Sequence, residues 1–345
     1  MKLQRLVDIE LKMEKSMNQD ICDFLCIGTA LVDSIIRGFD PVPVSASGYR
    51  AQSGSLNVGG EAVNEAVTAA KLGLRTRILC HAGQDAAGDM IRSMLENNGV
   101  YTDAVIRSGH STPVTTMFVN PDGTRKSITN EAHHYNFHPE KYIPVIRSAR
   151  AVSLGSLFRA PFQDTGVIHE VILQAKNAGA LILADTKLPN FEKLSLEDIR
   201  DILPLVDYIF PNEDEAAYFS GKTDPDEAAD VFLQYGVHNV IIKLGSRGCL
   251  FKNGRESLFL NAYDIHAVDA TGAGDNFIAG FACEKLAGQS DLDALRFANA
   301  CGAICTTEVG ACTALKNRQQ VLDFMKQAYI MSKEKSADDS PELIP

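Results

Sequence analysis

The chain has 345 residues, 45 % of them hydrophobic and 22 % charged, with a formal net charge of −11. That is enough for one large α/β domain or two ordinary ones, with ample material for a core, and the acidic balance speaks against a general role at nucleic-acid or membrane surfaces. No secretory leader and no apolar run long enough to span a bilayer is seen, so the cytoplasm is the expected location. In that compartment the eight cysteines, none of them in a Cys-x-x-Cys pair, read as buried reduced thiols.

In chain order, residues 1–20 form an N-terminal extension, either a short amphipathic helix or a leader upstream of a later start at Met13 or Met17. "DFLCIGTAL" reads as a strand, "EAVNEAVTAAKLG" as a helix closed by Gly73, "RTRILCHAG" as a strand and "AAGDMIRSMLENNG" as a helix ending at Gly99. Then come "RAVSLGSL" (strand), "TGVIHEVILQAKNAG" (helix), "ALILAD" (strand), "DIRDIL" (helix), "VDYIFPN" (strand), two helices in "EDEAAYFSG" and "PDEAADVFLQYG", and "NVIIKLG" (strand). Such alternation predicts βαβ units and a Rossmann-like, mainly parallel sheet with helices on both faces. Two insertions break it: "GFDPVPVSASGYRAQSGSLNVGG", and "STPVTTMFVNPDGTRKSITNEAHHY", a β-hairpin with "NPDG" as its turn. Paired as a small second sheet, they would make a lid over the crevice at the C-terminal edge of the large one. The expected division is 21–40, 59–110 and 133–332 for the α/β domain, 41–58 and 111–132 for the lid, and a disordered polar tail over 333–345.

The stretch "VDATGAGDNFIAGF" carries the first chemical signal. "YDIHAV" before it reads as a strand, and the apolar spacing of Phe277, Ile278, Phe281, Ala282 and Leu286 after it predicts a helix. Gly272, Ala273 and Gly274 then present backbone N–H groups at a helix N-terminus, a cradle for an anion. A carboxylate beside such a cradle, Asp275, repels the anion unless its task is to take a proton from the group that attacks it. The helix dipole is expected to keep Asp275 ionised and therefore a weak base, which suffices for a loose phosphoryl transfer. The plainer reading is a glycine-rich turn with an acid in the first helical turn.

These residues closely resemble the C-terminal signature of the ribokinase-like (PfkB) carbohydrate kinase family, and the resemblance runs from about Asp23 to Leu322. It implies a Rossmann-like α/β domain with a β-sheet lid, and transfer of the γ-phosphoryl group of ATP to a sugar or nucleoside hydroxyl. It makes Asp275 the catalytic base and Gly272, Ala273 and Gly274 the anion hole. "NVGGEAVNEAVTAAKLG" matches the N-terminal signature: Gly59 and Gly60 let a polyol press against backbone, and Asn64 offers it both a donor and an acceptor. Asp33, placed just past the first strand, is the acid that holds sugar hydroxyls. Asn212 and Glu215 in "FPNEDEA" match an N-x-x-E motif that would hold hydrated Mg²⁺ beside the phosphates; by themselves they are a helix cap followed by acids. Lys243, Gly245 and Gly248 resemble the nucleotide-contacting turn, and Asn299 joins the cofactor-binding set. Asp269 and the carbonyl of Thr271, completed by carbonyls near Cys305 and Gly310, correspond to a loop for a monovalent cation such as K⁺. Ala314 stands where cation-dependent members carry a hydroxyl, which leaves K⁺ open.

The departures bear on the acceptor. Ribokinases proper usually have Lys after the glycine pair, whereas this chain has Glu61, which argues against ribose and against a phosphorylated sugar at that spot. Arg159 and Arg125 are candidates to meet an acidic sugar, or plain surface charges. With Lys126 they are the few cations open to a sugar phosphate. Phe118, Tyr135, Phe137 and Phe158 are available as walls for a nucleoside base, or as lid core. His133 and His134 have no third ligand spaced to join them as a metal site. The expected function is an ATP- and Mg²⁺-dependent kinase for a small sugar or sugar acid, with a nucleoside kinase or a non-catalytic sensor as the alternatives. A dehydrogenase would need G-x-G-x-x-G after the first strand, and the single glycine in "CIGTALVD" speaks against it. Open strand edges in the lid suggest a homodimer.

Overall fold

The structure is a computed structural model that describes residues 21–38, 50–120, 125–130, 137–190 and 193–338, with side chains for all of these except Arg125 and residues 329–338. The N-terminal extension, the first part of the 41–58 insertion, the hairpin turn at 121–124, and His133, His134 and Tyr135 lie outside the described residues.

The large sheet has nine strands in the order β13-β12-β11-β10-β9-β8-β1-β4-β5. Seven are mutually parallel: β1 (Cys22–Ile27), β4 (Thr76–Gly83), β5 (Val105–Ser108), β8 (Ala149–Leu157), β9 (Leu181–Thr186), β10 (Tyr208–Phe210) and β11 (Asn239–Lys243). β12 (Cys249–Asn253) and β13 (Ser257–Leu260) close one edge antiparallel. β1 shows why both faces are covered. Its side chains alternate, so Leu25 and Ile27 join the core under α4 (Thr165–Asn177), while Phe24 and Cys26 join the core under α1 (Glu61–Lys71) and α7 (Ala273–Leu286). Burying a side chain such as Phe24 completely contributes roughly 1.5–3 kcal/mol. The remaining helices are α2 (Ala86–Asn97), the single turn α3 (Ile143–Ile146), α5 (Glu213–Ser220), α6 (Pro225–Gln234), α8 (Asp291–Cys305) and α9 (Arg318–Asp338). From β1 the chain goes outward to β4 on one side and later to β8 on the other, which opens a crevice at the C-terminal ends of these strands. All eight cysteines are unpaired, seven of them buried; burial pushes thiols such as Cys80 and Cys249 up to about 12.

The second sheet has the order β3-β2-β6-β7, from β2 (Leu31–Arg37), β3 (Ser53–Gly59), β6 (Val114–Val119) and β7 (Arg125–Thr129). The two insertions do share a sheet, but they meet through β2, to which β3 pairs antiparallel and β6 parallel. Residues 31–37 therefore belong to the lid, not to the α/β domain as expected, because the chain bends at Gly28–Ala30 and starts a new strand instead of extending β1. The register puts Asp33, Asn57, Thr115 and Thr129 in one row and Leu56, Ser34, Thr116 and Ile128 in the next, on opposite faces of the sheet.

Three further expectations are corrected. "YDIHAV" forms no strand, so the anion turn follows a loop. "DIRDIL" forms short 3₁₀ turns at Glu197–Ile199 and Leu203–Leu205 in place of a helix, its length being too short for a stable α-helix beside Pro204. The last helix continues to Asp338, past the expected start of the polar tail at 333.

Candidate active site

The anion turn is set by backbone. Gly272 caps α7 at φ 79°, and a Cβ there would stand 2.3 Å from the Cβ of Ala311; only glycine fits this left-handed, crowded position. Asn276 ties the turn down, its amide donating to the carbonyls of Gly272 and Ala311 at 2.8 Å each, while Thr68 of α1 donates to its oxygen. The Ala273 N–H donates to the Ala270 carbonyl at 3.2 Å, so of the three N–H groups expected to receive an anion this one is spent inside the turn. Those of Gly272 and Gly274 have no acceptor among the described residues.

Asp275 lies in the first turn of α7, 6 % exposed, and its Oδ2 accepts a 2.7 Å hydrogen bond from Asn64 Nδ2. Two signatures 211 residues apart thus meet in one contact. Burial raises the Asp275 carboxyl to about 6, against the pull of Lys187. The expected weak base is therefore corrected: desolvation outweighs the helix dipole.

Around this pair stands a set of alternating charges, of which the sequence reading singled out Lys243 and Glu61 but not Asp185, Lys187 or Glu65. Asp185, completely buried at the C-terminal end of β9, accepts from Lys243 Nζ at 2.5 Å and faces Lys187 Nζ at 3.5 Å. Lys187 also faces Glu61 at 3.9 Å. A Cβ on Gly274 would lie 3.3 Å from Lys243 Nζ, so the ammonium stands over the anion turn. Glu65, buried on α1, closes the floor. The available signals were a carboxylate ending a parallel strand in "LILADT" and an acid on the apolar face of "EAVNEAVTAA".

The other expected residues fall as follows. Gly60 caps α1 at φ 103°, where a Cβ would strike the Thr29 carbonyl at 2.3 Å, and a Cβ on Gly59 would meet Asp33 Oδ2 at 2.9 Å. Asp33 follows β1 in the chain as expected but lies within lid strand β2, and burial followed by the charge of Glu61 raises it to about 6. Asn212 and Glu215 form a reciprocal capping box on α5, and Glu215 Oε2 accepts from Thr186 as well. The Asn212 amide oxygen and one Glu215 oxygen are therefore committed to the cap. Gly245 (φ 58°) and Gly248 (φ 101°) shape the β11–β12 turn, where a Cβ on Gly248 would strike the Leu260 carbonyl at 1.9 Å. Asn299, on α8, is turned to Cys249 Sγ at 3.7 Å. Asp269 accepts from the Thr271 N–H and hydroxyl and from the Gly310 N–H, and the Cys305 thiol lies 3.4 Å from the Thr271 carbonyl. Ala314 is buried. Arg159 donates to the Leu188 carbonyl at 2.6 Å; Arg125 is placed only as the first residue of β7. Phe158 is fully buried against Phe219 at 4.3 Å, and Phe137 packs against the main core.

The family profile described as "pfkB family carbohydrate kinase" matches residues 24–318. The chain belongs to this family. The kinase is therefore a phosphotransferase acting on sugar hydroxyl groups. It is 29 % identical over 286 residues to the ribokinase of Haemophilus influenzae, covering 80 % of this chain and 90 % of that one. It is 28 % identical over 284 residues to the 2-dehydro-3-deoxygluconokinase of Bacillus subtilis, covering 79 % and 87 %. Among solved structures, a ribokinase of Arabidopsis thaliana complexed with ribose and ATP superimposes with a TM-score of 0.79 at 25 % identity, over 88 % of this kinase and 99 % of that chain. The fold is thus the ribokinase fold. No helix among the described residues is long and apolar enough to cross a membrane.

Proposed function

We propose that this kinase phosphorylates a small neutral sugar, with Asp275 as the base that takes the hydroxyl proton. The observation that carries this is the Asn64–Asp275 contact beside the Gly272–Gly274 turn, with Lys243 above it. A carboxyl held near 6 is ionised at neutral pH yet basic enough to accept a proton as the bond to phosphorus forms. The N–H groups of Gly272 and Gly274 and the ammonium of Lys243 face the charge that develops on the transferred group. Asn64, Asp33 and the bare backbone of Gly59 and Gly60 hold the acceptor hydroxyls.

What supports a neutral acceptor is the charge around it. Asp33 and Glu61 are acids, Lys187 is shared between Asp185 and Glu61, and Arg159 is committed to a carbonyl. A carboxylate or phosphate on the sugar would have to displace one of these pairs. A nucleoside is less well supported, because Phe158 and Phe137 serve the core.

The donor set left at Glu215, a single carboxylate oxygen, fits Mg²⁺ only through water. When bound, the ion would supply charge neutralisation between phosphate oxygens. Residues of the Asp269–Thr271 loop do not call for a monovalent cation, since the Asp269 carboxylate already takes three hydrogen bonds. Pairing of two copies through the lid is supported by Leu56 and Ile128, 60 % and 68 % exposed on one face of that sheet.

The test is ADP release across ribose, fructose, 2-dehydro-3-deoxygluconate, tagatose 6-phosphate, adenosine and pseudouridine with Mg²⁺. A neutral monosaccharide as best acceptor is the expected result; an acidic or phosphorylated sugar, or a nucleoside, as best acceptor would overturn the reading.

A further inference from the structure

Glu65 stands one residue beyond Asn64 on α1 and is completely buried. Neither of its oxygens has a hydrogen-bond partner among the described residues, and the same holds for Ser153 Oγ on β8 and Asp185 Oδ2 on β9. One carboxylate oxygen each from Glu65, Asp185 and Asp275 lie within 4.8 Å of one another. The other groups facing Glu65 are the hydroxyl of Ser153 on β8, whose contact favours the ionised form, the ammonium of Lys243 on β11 and the thiol of Cys26 on β1.

Three carboxylates in so small a buried space do not all stay ionised. Asp185 has Lys243 on one oxygen and Lys187 near the other, and Asp275 has the Asn64 amide. Glu65 has no such partner, so it is the one to carry a proton. Burial pushes its carboxyl well above the usual range, and the charges of Asp185 and Asp275 push it further.

A neutral carboxyl has one O–H to give, and Asp185, a member of the same cluster, has in Oδ2 an acceptor that makes no hydrogen bond and only the 3.5 Å ion pair to Lys187. We propose that Glu65 is a positioning residue: as a neutral donor, directly or across one water, it holds Asp185 so that Asp185 Oδ1 keeps Lys243 over Gly274. The proton stays on Glu65 throughout. Its effect reaches the phosphates of ATP through Asp185 and Lys243, and this rests on the reading of Lys243 as a phosphate contact.

The experiment compares wild type with E65Q, which keeps a donor of the same shape, and with E65M, which keeps volume and loses the donor. Calorimetric titration of ATP with Mg²⁺ at pH 7.5 needs no sugar, so it is independent of the acceptor. E65Q should bind within about twofold of wild type and E65M about tenfold more weakly, as expected for one lost buried hydrogen bond. Equal weakening of both variants would mean that Glu65 acts as an anion, for example toward a metal ion, and would overturn the proposal. Unchanged ATP affinity in E65M would overturn it as well. Absence of ATP binding by wild type would instead sink the kinase-site reading.

Urea unfolding from pH 6 to 8 provides a second readout that stands even where E65M does not fold. A Glu that is ionised when unfolded and neutral when folded takes up one proton on folding. Wild type should therefore lose stability relative to E65Q as pH rises, by about tenfold in the unfolding constant per pH unit. Parallel curves would show an ionised Glu65 and refute the proposal.

Discussion

The floor of the site and the lid hold their acids in different ways. On the floor, Asp275, Asp185 and Glu65 are buried between α1, α7 and the strand ends, and Asn64, Asn276, Lys243 and Thr68 are committed to fixed hydrogen bonds there. In the lid, Asp33 sits on a strand whose neighbours Asn57 and Ser55 are exposed, and the charge of Glu61 acts on it across the cleft. Both Asp33 and Asp275 are raised to about 6, yet the floor is wired to the anion turn and the lid is not. Chemistry should therefore respond to changes in the floor, and acceptor affinity to changes in the lid.

The sharpest break of that contrast is Asp275→Asn. Turnover should fall by about 10²–10⁴-fold, the usual worth of a general base, while the KM for the sugar moves little; normal turnover would remove Asp275 from the chemistry. Gly272→Ala comes next. A side chain at φ 79° against Ala311 should cost about 1–3 kcal/mol of stability, read by urea unfolding, and should lower turnover in the fraction that folds. Asp33→Asn tests the lid side: a rise of about tenfold in sugar KM with turnover nearly unchanged is expected for one lost charged hydrogen bond. If turnover fell as far as in Asp275→Asn, the division between floor and lid would be wrong.

The pH profile sharpens the same comparison. Asp275 is raised to about 6, so the basic form is present above that pH and lost below it. Turnover at saturating sugar should fall tenfold per pH unit below about 6, and Asp33→Asn should leave that limb in place. The smallest effect is expected from exchanging K⁺ for tetramethylammonium, less than about threefold in turnover, since the Asp269 loop satisfies its own carboxylate. A large drop would show that a cation competes successfully with those hydrogen bonds.

Where the sequence reading succeeded, the signal was local. Alternating strand and helix patterns, the glycines of two turns and the acid beside each are all contained within stretches of about a dozen residues. Where it failed, the answer depended on distant partners. The "YDIHAV" run has strand composition but joins neither sheet. Asp33 follows β1 in sequence but joins the other sheet, because β6 offers it a parallel partner.

The sequence alone determined the α/β class and the lid, through strand and helix periodicity, and the kinase family with its anion turn and Asp275, through the resemblance of two local signatures. Only the tertiary structure decided that burial raises Asp275 above what its helix dipole suggests, that the Ala273 N–H is spent inside the turn, and that Asp185, Lys187 and Glu65 stand around Asp275. Those outcomes depend on burial and on charges brought together from strands and helices far apart in the chain, and desolvation is a property of the assembled surroundings.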